Sequence, residues 1–172
     1  MNIRAIAAGL ALSAALAAPV FAHPVDGAWK EQHNDTPGIT TPAGFKLTIW
    51  MKVEGDTLHY YSENTTNAEK PYISEHVSKL DGAVAPFPNQ TRFNQISTLL
   101  TEPHELQVLK MKDGDVIAGE FWTFSKDGKT AVRRGISKSP EGKSKAYQEH
   151  FVKVTDKPQH RKGAWPDAAS PR

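Results

Sequence analysis

Apolar and polar residues alternate along most of the second half of this chain, and three short polar turns interrupt the alternation. The turns lie at 112–115, 126–129 and 139–143, and each contains a glycine directly after an acidic residue. Glycine adopts positive φ without a steric penalty, so such dipeptides are strong hairpin signals. The pattern therefore predicts an antiparallel meander, with strands at about 105–111, 116–125, 130–138 and 145–154.

The first half of the chain shows the same period of two, but less regularly. Between Phe45 and Val53, apolar residues alternate with Lys46, Thr48 and Lys52, which is typical of a strand with one buried face. Further strands are predicted to begin at Trp29, to run from Leu58 to about 64–66, and to lie at about 71–80 and 96–100.

Prolines separate two of these predicted strands. Pro86 and Pro88 lie within 83–93, and neither has an N–H donor for a central ladder, so this stretch is predicted to be a loop. For 93–100 a strand is predicted, and an amphipathic helix is the alternative.

About eight or nine short strands with tight turns and no crossover helix indicate an all-β barrel or sandwich. Sequential hairpins favour an up-and-down meander barrel, because a Greek key needs at least one long return connection. A closed barrel would also remove exposed strand edges, which promote aggregation.

Composition narrows the class of protein. The chain has 172 residues, a formal net charge of +2 and no cysteine. This length suits one globular domain, and so small a positive charge does not predict a nucleic-acid partner. The absence of cysteine excludes disulfides, thiolate metal sites and cysteine nucleophiles.

The N-terminal segment 1–22 has the pattern of a signal peptide. Arg4 supplies a positive charge, 5–18 is an alanine-rich apolar run, and Val20 and Ala22 stand where a signal peptidase requires small residues. Cleavage after Ala22 would leave His23 as the mature N-terminus. The predicted location is periplasmic or secreted, with no integral membrane segment after cleavage; an uncleaved anchor is the alternative.

The remaining chain is predicted to be a barrel domain over 23–154 and a basic tail over 155–172. Pro158, Pro166 and four basic residues give the tail the composition of a disordered segment. Docking of Trp165 onto the barrel is the alternative.

The stretch Gly27-Ala28-Trp29, followed by a meander, resembles the lipocalin-like (calycin) superfamily. In that superfamily the tryptophan of a G-x-W motif closes one end of the barrel. Together with 125–130, this stretch also resembles small secreted bacterial lipocalin-like proteins of unknown function, over most of 25–154. The superfamily's T-D-x motif is absent, and its late arginine is replaced by Lys153. The resemblance implies a barrel closed by Trp29, with an internal pocket for a small, largely apolar ligand.

Successive residues of a strand point to opposite faces, and this alternation gives candidate pocket residues. Glu120 shares one face of its strand with Trp122 and Phe124. If this face lines the barrel, Arg134 and His150 are predicted to line it from the next two strands, and a buried Glu120 would pair with Arg134. Alternatively, Phe121 and Tyr147 mark the inside. The predicted ligand-binding residues are Trp50, Tyr60, Glu120, Trp122, Phe124, Arg134 and His150.

No motif predicts a catalytic residue, a cofactor or a metal site on a single element. The alternatives to ligand binding are an enzyme that uses Glu120, Arg134 and His150 as acid and base residues, and an interaction protein with a filled core. A fourth hypothesis is copper binding, because a mature N-terminal His23 would offer both an amine and an imidazole. The oligomeric state is not predicted.

Overall fold

A computed structural model describes residues 23–32, 41, 44–88 and 90–157 of the chain. This part contains ten strands in one antiparallel sheet, and none of it forms a helix long and apolar enough to cross a membrane. The strands are β1 (Gly27–Glu31), β2 (Leu47–Glu54), β3 (Thr57–Asn64), β4 (Tyr72–Lys79), β5 (Asp81–Pro86), β6 (Gln95–Glu102), β7 (Glu105–Lys112), β8 (Asp115–Phe124), β9 (Thr130–Lys138) and β10 (Ser144–Thr155).

The strands follow one another around the sheet in chain order, and the first and last strands meet. β1 pairs with both β2 and β10, so β4 and β5 are the two edges. These edge strands form no ladder with each other. However, two hydrogen bonds connect the end of β4 to β6. The Ser78 hydroxyl donates to Thr98 Oγ1 at 2.9 Å, and the Leu100 N–H donates to the Leu80 carbonyl at 3.2 Å. The sheet is therefore a nearly closed up-and-down barrel.

This architecture confirms the predicted all-β antiparallel meander barrel, with ten strands instead of eight or nine. The additional strand is β5, which occupies part of the stretch predicted to be a loop. Pro86 ends β5, and β5 pairs only with β6, so the missing proline donor interrupts no ladder. The helix alternative for 93–100 is wrong, because β6 begins at Gln95. The predicted signal segment and Trp165 lie outside the described residues.

The three predicted hairpin turns are confirmed. They join β7 to β8, β8 to β9 and β9 to β10. Their glycines all have positive φ: +88° at Gly114, +66° at Gly128 and +80° at Gly142. A residue with a Cβ would be strained in this conformation, so these glycines define where the chain reverses.

Aromatic side chains fill the end of the barrel where β8 finishes and β1 begins. Trp29 is fully buried, and its ring meets the Phe124 ring edge-on, with centroids 5.1 Å apart. Phe124 also stacks on Trp122 at 5.7 Å, and Trp122 packs against Phe151 at 4.9 Å. The indole N–H of Trp29 donates to the Val25 carbonyl at 2.9 Å. We call this the closed end.

A glycine on the inner wall makes room for a tyrosine. Gly135 pairs with Tyr147 across β9 and β10, and the tyrosine ring lies over the glycine. A Cβ at position 135 would stand 2.3 Å from Tyr147 Cζ. At Gly119, in contrast, a Cβ would meet its nearest neighbour at an ordinary 3.5 Å.

We therefore expect Gly135→Ala to lower the free energy of unfolding by about 1–3 kcal/mol, because the Tyr147 ring must move. Gly119→Ala is the matched control, and we expect a change of less than about 1 kcal/mol for it. Urea unfolding of both variants measures the difference. Equal stabilities would show that the Tyr147 ring is not held over Gly135.

Candidate functional site

Four charged side chains on four consecutive strands form a continuous series of contacts inside the barrel. Lys110 Nζ on β7 donates to Glu120 Oε1 on β8 at 2.6 Å. Arg133 Nη1 on β9 donates to the other Glu120 oxygen at 3.4 Å, and Arg133 Nε donates to Glu149 on β10. Glu120, Arg133 and Glu149 are each no more than 6% exposed. We call these four residues the ionic chain.

Strand register explains why these side chains meet. Glu149 lies opposite Arg133 on β10 and β9, and Arg133 lies opposite Trp122 on β8. Residues paired in an antiparallel sheet point to the same face. Since Trp122 is a core residue, Arg133 and Glu149 must also point inward, and Glu120 follows because it is two residues from Trp122.

The contacts favour the ionised forms of Lys110, Glu120 and Arg133. Burial alone would raise the pKa of Glu120, but Lys110 and Arg133 outweigh burial and lower this pKa to about 2. Burial opposes the charged forms of Lys110 and Arg133 as well, yet Glu120 raises the pKa of both cations, and Glu149 raises that of Arg133 further. Together with Glu149, which pairs with Arg133, the ionic chain consists of two basic and two acidic side chains.

Aromatic rings surround the guanidinium group of Arg133. Its Cζ lies 5.0 Å from the Trp122 ring centroid, 5.4 Å from that of Phe151 and 6.0 Å from that of Tyr147. A cation held over aromatic faces is attracted by their quadrupoles. Burial raises the pKa of Tyr147 and of Tyr60, so both phenols stay protonated and remain potential donors.

Two polar side chains of the barrel interior have no hydrogen-bond partner among the described residues. They are His76, at both ring nitrogens, and Trp122, at Nε1. His76 stacks on Tyr60 with centroids 4.7 Å apart and meets the Phe87 ring edge-on at 5.2 Å. Burial lowers the pKa of His76 to about 3, so the imidazole is neutral at physiological pH. A neutral imidazole can donate one hydrogen bond and accept another.

Phe87 and Phe93 are buried at the end of the barrel opposite Trp29. They lie in the connection between β5 and β6. Gln95, the first residue of β6, pairs with Met111, so this connection is close to the β7–β8 turn. The Lys110 ammonium lies 5.8 Å from the Phe93 ring centroid. The ionic chain is therefore enclosed between these phenylalanines and the aromatic closed end.

The structure places four of the seven predicted ligand-binding residues on the inner wall: Tyr60, Glu120, Trp122 and Phe124. Trp29, predicted to close the barrel, lies at the closed end.

For Arg134 and His150, the predicted inward orientation is wrong. Arg134 is exposed and its Nε donates to Gln148 Oε1 at 2.9 Å, beside Phe121, which is 47% exposed. His150 shares this outer face, since Gln148 and His150 are two residues apart. The inward-facing positions of β9 and β10 are one residue away from those predicted, and a difference of one residue exchanges the inner and outer faces of a strand completely.

Trp50 also lies on the outer wall, where it packs against Tyr61 with ring centroids 5.5 Å apart. Its neighbours Ile49 and Met51 are fully buried, so they are the residues of β2 that face inward. The prediction that Trp50 contacts a lumen ligand is therefore wrong. Trp50 shares its side of β2 with Thr48 and Lys52, and its ring covers the outer surface of the barrel.

Sequence reasoning missed four interior residues of the site, His76, Lys110, Arg133 and Glu149, and named Tyr147 only in the alternative assignment of the inside. A signal existed for part of this set. Tyr147 and Phe151 share the parity of Glu149, and two aromatic residues on one face indicate the buried side more strongly than Val152 and Val154 do. No comparable signal marked His76, because its strand exposes Ile73 and Val77 and buries serines.

No group of three metal-ligating side chains is present among the described residues. His23 lies beside the closed end, where its Nδ1 accepts a bond from the Val25 N–H at 3.3 Å. His33, the histidine nearest to His23 in the sequence and the nearest candidate for a second copper ligand, lies outside the described residues. Copper binding by a processed N-terminus stays a prediction.

Two clefts among the described residues lie outside the barrel interior. One of about 390 Å³ lies on the outer wall and includes Phe121, Arg134 and Ile136. Another of about 640 Å³ lies beside the closed end and includes His23, Lys129 and Lys153. Neither contains a member of the ionic chain.

No protein-family model matches the sequence, and no curated protein matches it either. Among solved structures, apo lipid binding protein 8 of Caenorhabditis elegans aligns with a TM-score of 0.48 and 18% sequence identity. The alignment covers 79% of this chain and 99% of that one. A likeness at this level carries no information about what this chain binds.

Proposed function

We propose that the barrel binds a small amphipathic molecule in its interior. The polar group of the ligand lies near the ionic chain, His76 and Trp122, and its apolar part packs against the phenylalanines and the aliphatic inner wall. The observation that carries this proposal is the pair of buried, unpartnered polar groups, His76 and the Trp122 indole N–H. A ligand inside the barrel would satisfy both.

Stability alone does not account for this interior. Burying a polar group without a hydrogen bond costs roughly 1–3 kcal/mol. Burying ion pairs is often no better than packing apolar side chains of equal volume. A barrel that required only a filled core would be more stable with apolar residues at these positions. Polar interior groups held in place by their neighbours are instead typical of a ligand site.

The proposal extends to location and family. The signal pattern of 1–22 supports export to the periplasm or the extracellular space, and the Gly27-Ala28-Trp29 resemblance supports a secreted lipocalin-like binding protein. N-terminal sequencing of protein recovered from a periplasmic fraction tests the first point. A chain that retains residues 1–22 would contradict it.

Titration with 1-aminoanthracene, an uncharged fluorescent amphiphile, tests ligand binding directly. We expect saturable binding with enhanced emission, and displacement of the dye by any molecule that native mass spectrometry finds in protein purified from its own source. Failure of the dye and of small amphiphiles to bind, together with a ligand-free native mass, would overturn the proposal.

Two tryptophans allow a matched test of the site. We expect Trp122→Phe to weaken binding of 1-aminoanthracene by about fivefold, because one hydrogen-bond donor to the ligand is worth about 1 kcal/mol. Trp50→Phe makes the same chemical change on the outer wall and should leave the affinity unchanged. Fluorescence titration measures both affinities, and urea unfolding confirms that both variants are folded. Equal affinities in the two variants would place the ligand away from Trp122.

A further inference from the structure

We infer that the ligand is electrically neutral, with a hydroxyl, carbonyl or amide as its polar group rather than a carboxylate or an ammonium. This inference rests on the proposed function and specifies the chemical class of its ligand. It follows from how the charges and the unpartnered groups of the interior are distributed.

Each cation of the ionic chain already has a carboxylate partner. Lys110 donates to Glu120 at 2.6 Å, and Arg133 contacts both Glu120 and Glu149. Neither cation is left over to neutralise a ligand carboxylate. Both glutamates are likewise occupied, so neither is left over to neutralise a ligand ammonium.

An ionic ligand would therefore enter as an unbalanced charge. Two cations and two carboxylates sum to zero, and a fifth buried charge needs a new counterion.

The groups that do lack partners are uncharged. The Trp122 indole donates only, and the His76 imidazole donates from one nitrogen and accepts at the other. A hydroxyl can donate and accept, and a carbonyl can accept, so either matches this set without adding charge. Tyr60 stacks on His76, and the Phe87 ring meets it edge-on, so the imidazole is held in place.

Displacement of 1-aminoanthracene by octanol and by octanoate at neutral pH tests the inference on the unaltered protein. The two molecules have the same chain length, and octanoate is fully ionised at this pH. We expect octanol to bind at least about tenfold more tightly, a difference of about 1.4 kcal/mol. Octanoate binding as tightly as octanol would overturn the inference and leave the proposed function standing. If the dye binds but neither molecule displaces it, the inference is wrong and the proposed function stands; if the dye does not bind either and the native mass is ligand-free, both are wrong.

A charge-neutralising substitution should reverse the preference. Glu149→Gln leaves Arg133 and Lys110 sharing the Glu120 carboxylate, so the interior gains one net positive charge. We expect octanoate to bind about tenfold more tightly than before, with the affinity for octanol changed by less than about threefold. Glu141→Gln makes the same change in an exposed turn and should alter neither affinity. If both variants behave alike, the selection does not arise at the ionic chain and the inference is wrong.

Discussion

Arg133→Met is expected to lower the free energy of unfolding by about 3–5 kcal/mol, which is enough to unfold a marginally stable domain. Methionine retains much of the apolar packing against Trp122 and Phe151 but removes the charge. Glu149 then loses its cation, and Glu120 keeps only Lys110. A carboxylate buried without a partner is far more costly than the loss of the pair as a whole. Urea unfolding at neutral pH measures the effect.

Two companion variants distinguish this cause from general disturbance. Arg134→Met changes the adjacent arginine, which faces solvent, and should alter stability by less than about 1 kcal/mol. The double variant Arg133→Met, Glu149→Leu removes the orphaned carboxylate together with the cation. It should recover at least half of the lost stability. A double variant less stable than Arg133→Met alone would show that the charge of Glu149 is not what makes the single substitution costly.

Acidification is the second large expected effect, and it originates at His76. In the folded state its pKa is about 3, whereas the unfolded chain has the ordinary value of 6.5. The unfolded state therefore binds more protons below pH 6.5, so stability is fully present above this pH and falls as pH falls toward 3. The slope approaches about 1.4 kcal/mol per pH unit. Between pH 6.5 and 4.5 we expect a loss of about 2 kcal/mol from this group.

Glu120 makes the free energy of unfolding depend on pH in a second, lower range. Its folded pKa of about 2 lies below the ordinary 4.5, so its contribution is present above 4.5 and is lost as pH falls toward 2. His76 faces Tyr60, Phe87 and the opposed charges of Lys110 and Glu120, and burial outweighs these charges in setting its pKa. The change in unfolding free energy between pH 6.5 and 4.5 therefore comes from His76, and the change below pH 4.5 includes Glu120.

His76→Phe tests this assignment. Phenylalanine can keep the stack on Tyr60 while removing the titrating group and both unpartnered nitrogens. We expect the variant to be more stable by about 1–3 kcal/mol at neutral pH, and less dependent on pH between 6.5 and 4.5. It should bind 1-aminoanthracene more weakly, so stability and binding change in opposite directions. Curves of unfolding free energy against pH that run parallel in the two proteins would contradict the role of His76.

The fold was predictable from the sequence because its signals are local. The acidic-glycine turns and the period-two alternation depend on residues next to each other in the chain, and they gave the meander directly. β5 was missed because Pro86 excludes a central strand, which predicted a loop, whereas an edge strand tolerates a proline. Whether a strand lies at an edge depends on the closure of the whole sheet, which no local pattern records.

The site was less predictable because it depends on which face of each strand points into the barrel. The first of the two predicted faces of β8 was correct for Glu120, because two aromatic residues, Trp122 and Phe124, share that face and only Phe121 lies on the other. On β9 two arginines are adjacent, so the need for a cation beside Glu120 could be met by Arg133 or by Arg134, and composition does not separate them. The decisive fact is the pairing of Arg133 with Trp122 across β8 and β9. Such a pairing is a property of the folded sheet.

The Gly135–Tyr147 pair also has a consequence for how the strands find their alignment. A slip of β9 by one residue against its neighbours would exchange the two faces of this strand, so Arg133 would turn to solvent and Arg134 would turn inward in its place. The buried cation would be replaced by another, but Gly135 would turn away from Tyr147, and a residue with a side chain would occupy the space of the ring. We expect this steric penalty to disfavour the neighbouring alignments. A residue without a side chain would thus select the final barrel among similar alternatives.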